Sequence, residues 1–219
     1  GGRVHGDGME VPDYGVYKEQ DWANTSKGQA AMVSWMDRDV GRLVDLLREL
    51  KLDRRTLVIF TSDNGPHSEG GHRHEVFDAN GPLRGFKRDL YEGGIRVPTL
   101  AWWPGVVEAG TTCSEPLAFW DFLPTACELA GTKVPPGLDG ISFVNALRGM
   151  KQRSHDYLYW KYGRKEALRA GKWKLVRTDP VKPAELYDLK GDPGEKRNVA
   201  GEHQKMVQTL QNYLGQAKK

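Results

Sequence analysis

The sequence lacks the features that mark three classes of protein. Two cysteines, Cys113 and Cys127, are too few for a disulfide framework, and their number leaves the cellular compartment open. No apolar stretch is as long as a membrane span, because Pro104 and Gly105 interrupt the best candidate, residues 99–107. The 32 basic and 29 acidic residues give a net charge of +3 and form no basic block. We therefore expect no nucleic-acid partner and no membrane partner.

The beginning of the sequence also lacks familiar signals. Residues 1–8 contain no initiator methionine, no apolar signal core and no periodic pattern, so we expect the chain to be a piece of something longer. His5 is interpreted as an isolated histidine without a functional role. The sequence of 219 residues carries seven Trp, eight Tyr and six Phe, which is enough for one substantial domain or a domain with a smaller one.

Apolar periodicity predicts an α/β domain over residues 1–149. Ser26 and Gln29 have the spacing of a capping box, and apolar residues then recur at intervals of three and four. They predict an amphipathic helix over residues 26–50 with one buried face, formed by Met32, Met36, Val40, Leu43, Leu47 and Leu50. A continuous apolar strand at residues 56–60 follows a short polar loop, which is typical of a mostly parallel sheet. Further elements are predicted as a strand at residues 97–103 and helices at residues 121–130 and 142–148.

From residue 150 the apolar pattern changes to a period of two, which is typical of antiparallel strands. The predicted strands cover residues 157–160, 167–170, 172–177 and 185–189, with a tight hairpin around Gly171. An amphipathic helix over residues 202–214 ends the pattern. We therefore assign residues 150–219 to a small α+β subdomain, an antiparallel sheet with a helix on one face.

Asp63 and Asn64 directly follow the first predicted strand and precede a segment rich in glycine, residues 65–94, which we call the glycine loop. In α/β sheets ligands bind beyond the carboxyl ends of strands, which is the predicted place of these two residues. A carboxylate and an amide oxygen suit calcium, with magnesium possible, but calcium takes roughly six to eight oxygens, so further ligands must lie outside this segment. The alternative is that Asn64 and Gly65 form a hairpin turn, although residues 66–74 contain no β-branched residue for a return strand.

Lys87 lies near the end of the glycine loop, two residues after Gly85. A lysine held there could place a point charge on an anionic substrate, and with a divalent cation it would stabilise negative charge on a transferred sulfuryl or phosphoryl group. We therefore predict Lys87 as a catalytic and substrate-binding residue. His67 and His72, together with His74, are interpreted as surface or substrate-side histidines, since a glycine-rich loop without cysteine is a poor scaffold for zinc.

Four short motifs, taken in order, carry a resemblance to a known family. They occupy residues 61–65, residues 83–85 followed by Lys87, residues 91–98 and residues 103–105. As a set they resemble the sulfatase family, in particular its arylsulfatase A-like members, and the similarity covers nearly the whole chain from about Val11 onward. The resemblance implies an alkaline-phosphatase-like α/β fold with a small C-terminal subdomain, and an enzyme that hydrolyses sulfuric esters. It also implies that Asp63 and Asn64 are two of the calcium ligands and that Lys87 contacts the sulfate ester.

Members of that family convert a cysteine in a Cys-x-Pro-x-Arg motif to formylglycine, which is the nucleophile. Neither cysteine matches, since Pro116 comes one place late after Cys113. The resemblance therefore implies that the chain is the C-terminal part of a sulfatase, whose nucleophile and remaining calcium ligands belong to an N-terminal half outside it. We expect the chain alone to be inactive and the substrate to be a sulfated small molecule or carbohydrate. The compartment that the resemblance implies is periplasmic, secreted or lysosome-like.

Two alternatives to a sulfatase stay open at this point. A phosphodiesterase or phosphonate hydrolase of the alkaline phosphatase superfamily would use the same lysine and metal ligands for phosphorus chemistry, and the identity of the nucleophile would distinguish it. A non-catalytic fragment that binds metal and anion is the other alternative.

Overall fold

The computed structural model describes residues 8–217, and His5 lies outside the described residues. Within them the chain divides into two compact units. The first contains the residues up to Thr56 together with Ser62–Val97, and the second contains Leu57–Thr61 and the residues from Pro98 onward. The predicted division between residues 149 and 150 stays a prediction.

Helix α1, Asn24–Glu49, is the main element of the first unit. The predicted helix is confirmed, but the predicted capping box is wrong, because the helix begins two residues before Ser26 and its N-cap residue, Ala23, makes no side-chain cap. Ser26 is instead buried inside the first turn. At Gly28 an added Cβ would lie 2.1 Å from the carbonyl oxygen of Met9, so the close approach of this backbone requires glycine.

The predicted burial of the apolar face of α1 is wrong for this chain. Only Ser26, Gly28 and Ala31 are buried in α1, and Leu43 in the predicted buried face is 63% exposed. The periodicity was sufficient to predict the helix, because it depends on local spacing. Burial depends on what packs against the face, and the described residues do not cover it.

The rest of the first unit is mostly irregular. Three short 3-10 turns occur at Gly15–Tyr17, Asp53–Arg55 and His74–Phe77. One helical turn, α2, spans Glu92–Ile95 and contains buried residues Glu92, Gly93 and Gly94. The glycine loop therefore ends in a buried helical turn.

In the second unit, strands β1, Val58–Thr61, and β2, Thr99–Trp102, form a two-stranded sheet. Both predicted strands are present in shortened form. They pair antiparallel, so the parallel pairing predicted for these strands is wrong, and the hydroxyl oxygens of Thr61 and Thr99 lie 3.0 Å apart. The residues of β1 are half-buried, because a ribbon of two strands leaves its faces partly open.

Two short helices follow β2, and a buried carboxylate ties the segments around them together. Helix α3 spans Phe122–Leu129 and helix α4 spans Val144–Leu147. Asp121, fully buried before α3, accepts hydrogen bonds from the amide groups of Ala118 (2.8 Å) and Ile141 (2.9 Å). Its carboxylate also lies 2.9 Å from His155 Nε2. The predicted N-cap position of Asp121 is confirmed, but its side chain holds other segments rather than the helix end.

The two cysteines of the second unit are both free thiols. Cys127 is buried in α3, which agrees with a structural role, whereas Cys113 is exposed. The structure therefore adds no disulfide to the fold.

The chain ends in a four-stranded antiparallel sheet covered by a helix, as predicted. Its strands follow in the order β3, Leu158–Tyr162, β4, Lys165–Ala170, β5, Trp173–Arg177, and β6, Glu185–Asp188. Helix α5, Gln204–Ala217, contributes Leu210 and Leu214 to a core with Leu168, Leu175 and Leu186. We refer to these strands and α5 as the C-terminal sheet.

An ion pair is also buried in this region. Lys174 Nζ of β5 lies 2.9 Å from Glu195 Oε1, and both side chains are fully buried. Glu195 has a positive φ of 52°, which is uncommon for a residue with a side chain. The pair joins the sheet to the turn that follows β6.

Candidate metal and anion site

Asp63 and Asn64 lie in a turn that directly follows β1 in the chain. The Ser62 hydroxyl donates to the carbonyl oxygen of Asn64 (2.8 Å), and Asn64 Nδ2 donates to that of Gly65 (2.9 Å). Asp63 is exposed and Asn64 is half-buried. Because the amide nitrogen of Asn64 is used within the turn, its side-chain oxygen is the atom suited to a cation.

Glycines pack this turn against the end of the glycine loop. The Gly65 amide donates to the carbonyl oxygen of Gly94 (2.9 Å), and an added Cβ at Gly65 would lie 1.8 Å from the carbonyl oxygen of Gly93. A Cβ at Gly93 would in turn lie 2.3 Å from the carbonyl oxygen of Gly85. Glycine at these positions therefore allows the backbones of the turn and of the loop's end to approach closely.

The Lys87 backbone is held beside the same turn. Its amide donates to the carbonyl oxygen of Pro66 at 2.7 Å, two residues after Asn64. The side chain is half-buried, and its Nζ lies 3.1 Å from Glu69 Oε2. The structure thus brings the segments of Lys87 and Asn64 together and gives the ammonium group a carboxylate partner.

Glu69 and Arg88 form a charged cluster with Lys87 that the sequence did not predict. The second carboxylate oxygen of Glu69, Oε1, lies 2.5 Å from Arg88 Nη2. The hydrogen bond from Lys87 is the main reason that the pKa of Glu69 is lowered, and the charge of Arg88 adds to it. No local pattern could have found this cluster, because its members are 18 and 19 residues apart on an irregular loop.

His72 is buried, with 4% of its surface exposed, and its ring stacks on Phe77 at 5.9 Å. Within the described part of the chain its Nδ1 has no hydrogen-bond partner. Burial lowers the pKa of His72, and the neighbouring His67, 6.1 Å away between ring centres, lowers it further. His67 Nδ1 accepts a hydrogen bond from the Glu69 amide (3.1 Å), which places both predicted substrate-side histidines in the segment of Glu69.

His74 has a structural environment. Its Nδ1 lies 2.6 Å from the Ser68 hydroxyl, and its ring stacks on Phe86 at 4.6 Å. Since His72 and His74 are buried, the prediction of surface positions is wrong for both. The substrate-side interpretation of His67 and His72 stays a prediction.

The donor chemistry of Asp63 and Asn64 fits a hard divalent cation, although these residues do not make a complete site. One carboxylate and one amide oxygen are ligands that calcium and magnesium accept. Among residues 8–217, no three His, Cys, Asp or Glu side chains are grouped so that they could hold a metal ion. Two side-chain donors are fewer than the roughly six to eight oxygens that calcium takes, so calcium would need further ligands.

Two family models match the chain. The model described as Sulfatase matches residues 12–132, and the model described as N-sulphoglucosamine sulphohydrolase, C-terminal, matches residues 83–219. Their matches overlap in the segment that contains Lys87.

Curated relatives match along most of this chain. Steryl-sulfatase of Mus musculus is 34% identical over 209 residues, which cover 78% of this chain and 33% of the relative. Arylsulfatase A of Homo sapiens is 36% identical over 198 residues, which cover 76% of this chain and 38% of the relative. The chain thus spans about a third of the length of these relatives.

Solved structures share the fold over nearly the whole chain. Ps i-CgsB superposes with a TM-score of 0.82 at 28% identity, covering 95% of this chain and 46% of that chain. BT4656 in complex with its substrate D-glucosamine-2-N, 6-O-disulfate superposes with a TM-score of 0.68 at 26% identity, covering 92% and 44%. These similarities confirm the predicted alkaline-phosphatase-like fold class with its small antiparallel sheet.

Proposed function

Because the chain belongs to the sulfatase family, we propose that it forms part of an enzyme that hydrolyses sulfuric esters. The observation that carries the proposal is the hydrogen bond between the Lys87 amide and Pro66, which holds the lysine beside the turn of Asp63 and Asn64. The ammonium group of Lys87 and the oxygen donors of Asp63 and Asn64 are thereby kept in adjacent segments. Binding of an oxyanion beside a divalent ion would require this arrangement.

Lys87 has the role of binding the sulfuryl group in this proposal. Its ammonium donates hydrogen bonds to sulfuryl oxygens, which bear more negative charge as the ester bond breaks. Asp63 and Asn64 hold a divalent cation, calcium or magnesium, together with ligands from outside the described residues. Such a cation, when bound, supplies a second positive charge to the same oxygens.

In this proposal the nucleophile is supplied by a part of the enzyme that lies outside this chain. Cys113 lacks the Cys-x-Pro-x-Arg context that formylglycine formation uses in this family, and the buried Cys127 lacks it too. The chain alone is therefore expected to bind sulfate without hydrolysing sulfate esters.

His67 and His72 are proposed to contact the rest of the substrate, a sulfated carbohydrate or small molecule. Because burial lowers its pKa, His72 is neutral at neutral pH, and His67 is the more exposed of the two histidines. Relatives support a sugar, since N-acetylgalactosamine-6-sulfatase of Canis lupus familiaris is 31% identical over 170 residues.

None of the described helices is long and apolar enough to cross a bilayer. A periplasmic, secreted or lysosome-like compartment is part of the same proposal.

Calorimetric titration of the chain with calcium and with inorganic sulfate tests the proposed site. Because the turn supplies only part of a calcium site, calcium should bind the chain weakly, and Asp63→Ala should remove that heat. Lys87→Ala should weaken sulfate binding about tenfold, because a charged hydrogen-bond donor is lost. Asp53→Ala, which removes a carboxylate outside the turn, is the matched control for calcium. Unchanged sulfate binding by Lys87→Ala would contradict the role of Lys87.

Para-nitrophenyl sulfate tests the absence of the nucleophile from this chain. The wild-type chain should release no para-nitrophenol above the rate without protein. Turnover that Asp63→Ala and Lys87→Ala abolish would show that a nucleophile within the 219 residues had been overlooked.

A further inference from the structure

We infer that Lys87 and Arg88 form one anion site, that the Glu69 carboxylate fills it in the absence of substrate, and that a sulfate ester binds by displacing Glu69. The inference rests on the proposed role of Lys87 and extends it. It adds Arg88 as a second binding cation and Glu69 as an internal competitor of the substrate.

The Glu69 carboxylate is shared between the two cations as an anionic ligand would be. Oε2 faces Lys87 Nζ at 3.1 Å, and Oε1 faces Arg88 Nη2 at 2.5 Å. A sulfuryl group also presents several oxygens from one centre, and guanidinium and ammonium groups are its usual donors in proteins. The carboxylate therefore has the chemistry of a stand-in for the sulfuryl group.

The backbone conformation at Arg88 accompanies the approach of two consecutive side chains, Lys87 and Arg88, to the same carboxylate. Consecutive side chains of an extended segment point to opposite sides. Arg88 instead has a φ of +78°, a conformation that costs energy for a residue with a Cβ and that is often found at functional sites. This local strain accompanies the convergence of Lys87 and Arg88 on Glu69.

The contact is accessible enough to be displaced. Glu69 and Lys87 expose 35% and 30% of their side chains, and Arg88 is more exposed still. Ion pairs with such access to water are weak. The backbone of Glu69 is held by the bond from its amide to His67 and by the neighbouring Ser68–His74 contact, so displacement requires only the side chain to turn.

A competing anion, rather than protonation, has to break the contact at neutral pH. The hydrogen bond from Lys87 lowers the pKa of Glu69 from its ordinary value of 4.5, so the carboxyl group stays ionised. An anionic substrate and Glu69 are then alternative ligands for the same two cations.

Sulfate titration of charge-matched variants tests the inference. Glu69→Gln removes the competitor and should tighten binding of inorganic sulfate about fivefold, the upper range for an accessible ion pair. The control Glu75→Gln removes the same charge from the same loop, where Glu75 pairs with Arg73, and should change binding less than twofold. In the Glu69→Gln background, Lys87→Met or Arg88→Gln should remove the gain.

A chemical measurement that begins with the wild-type chain complements the titrations. Sulfate should slow the acetylation of Lys87 by acetic anhydride, measured by mass spectrometry, and Glu69→Gln should speed it when sulfate is absent. Lys172, which pairs with Asp188 in the second unit, is the internal control and should not respond.

The outcomes separate this inference from the proposed function. If sulfate binding requires Lys87 but Glu69→Gln tightens it no more than the Glu75→Gln control does, only the proposed competition by Glu69 is overturned. Binding that does not depend on Lys87 overturns both, and so does an absence of sulfate binding by Glu69→Gln.

Discussion

In the C-terminal sheet five leucines are almost fully buried between the strands and α5, whereas the glycine loop buries histidines, a glutamate and glycines beside Leu90 and Tyr91. The sheet is stabilised by apolar burial on a regular ladder. The loop is held by contacts between glycine backbones and by polar bonds that leave Lys87 and Glu69 partly open to solvent. Substitutions should therefore change stability in the sheet and anion binding in the loop.

The buried ion pair of the sheet is where the comparison predicts the largest loss of stability. Lys174→Met should reduce the free energy of unfolding by about 3–5 kcal/mol, because it removes the cation that the fully buried Glu195 carboxylate contacts. Urea denaturation followed by circular dichroism measures the loss. The double variant Lys174→Met/Glu195→Gln should recover part of it, since no net charge is then buried. A loss below about 1 kcal/mol for the single variant would contradict the prediction that the buried Glu195 carboxylate depends on Lys174.

A substitution of Gly93 tests whether the glycine loop depends on close backbone contacts. Gly93→Ala should cost about 1–3 kcal/mol and also weaken sulfate binding, because its Cβ would meet the backbone oxygens of Gly85 and Arg84. Thermal unfolding and sulfate titration measure the two effects. Gly41→Ala is the control, since a Cβ there on α1 meets nothing within 4 Å and alanine favours helix. Equal effects of the two exchanges would contradict a requirement for close backbone contact in the loop.

The smallest expected effect is a shift in the acid titration of the loop. The lowered pKa of Glu69 means that its contribution to stability is complete above pH 4.5 and is lost as the pH falls through the folded-state value. Carbon-13 NMR of the carboxyl groups should give a midpoint below 4.5 for Glu69, and Lys87→Met should move it upward. Glu75 is the control, because its pKa is lowered chiefly by a backbone hydrogen bond. A Glu69 midpoint that does not move in Lys87→Met would remove the lysine as the cause.

Sequence patterns predicted the regular elements well and their surroundings poorly. The strands of the C-terminal sheet and helix α5 lie within a few residues of their predicted positions, because alternation and helical spacing are local properties. The exposed apolar face of α1 was predicted as buried, since periodicity identifies a face but not what covers it. The roles assigned to Asp63, Asn64 and Lys87 stay predictions, and the contacts of Glu69 with Lys87 and Arg88 were not predicted.

The sequence by itself determined that this chain has the motifs of a sulfatase, the order of its strands and helices, and the candidate donors at Asp63, Asn64 and Lys87. Only the tertiary structure decided that Lys87 shares a carboxylate with Arg88. That contact joins residues 18 positions apart on a loop without periodicity. The course of such a loop depends on distant backbone segments that meet through glycines, and no local spacing encodes that meeting.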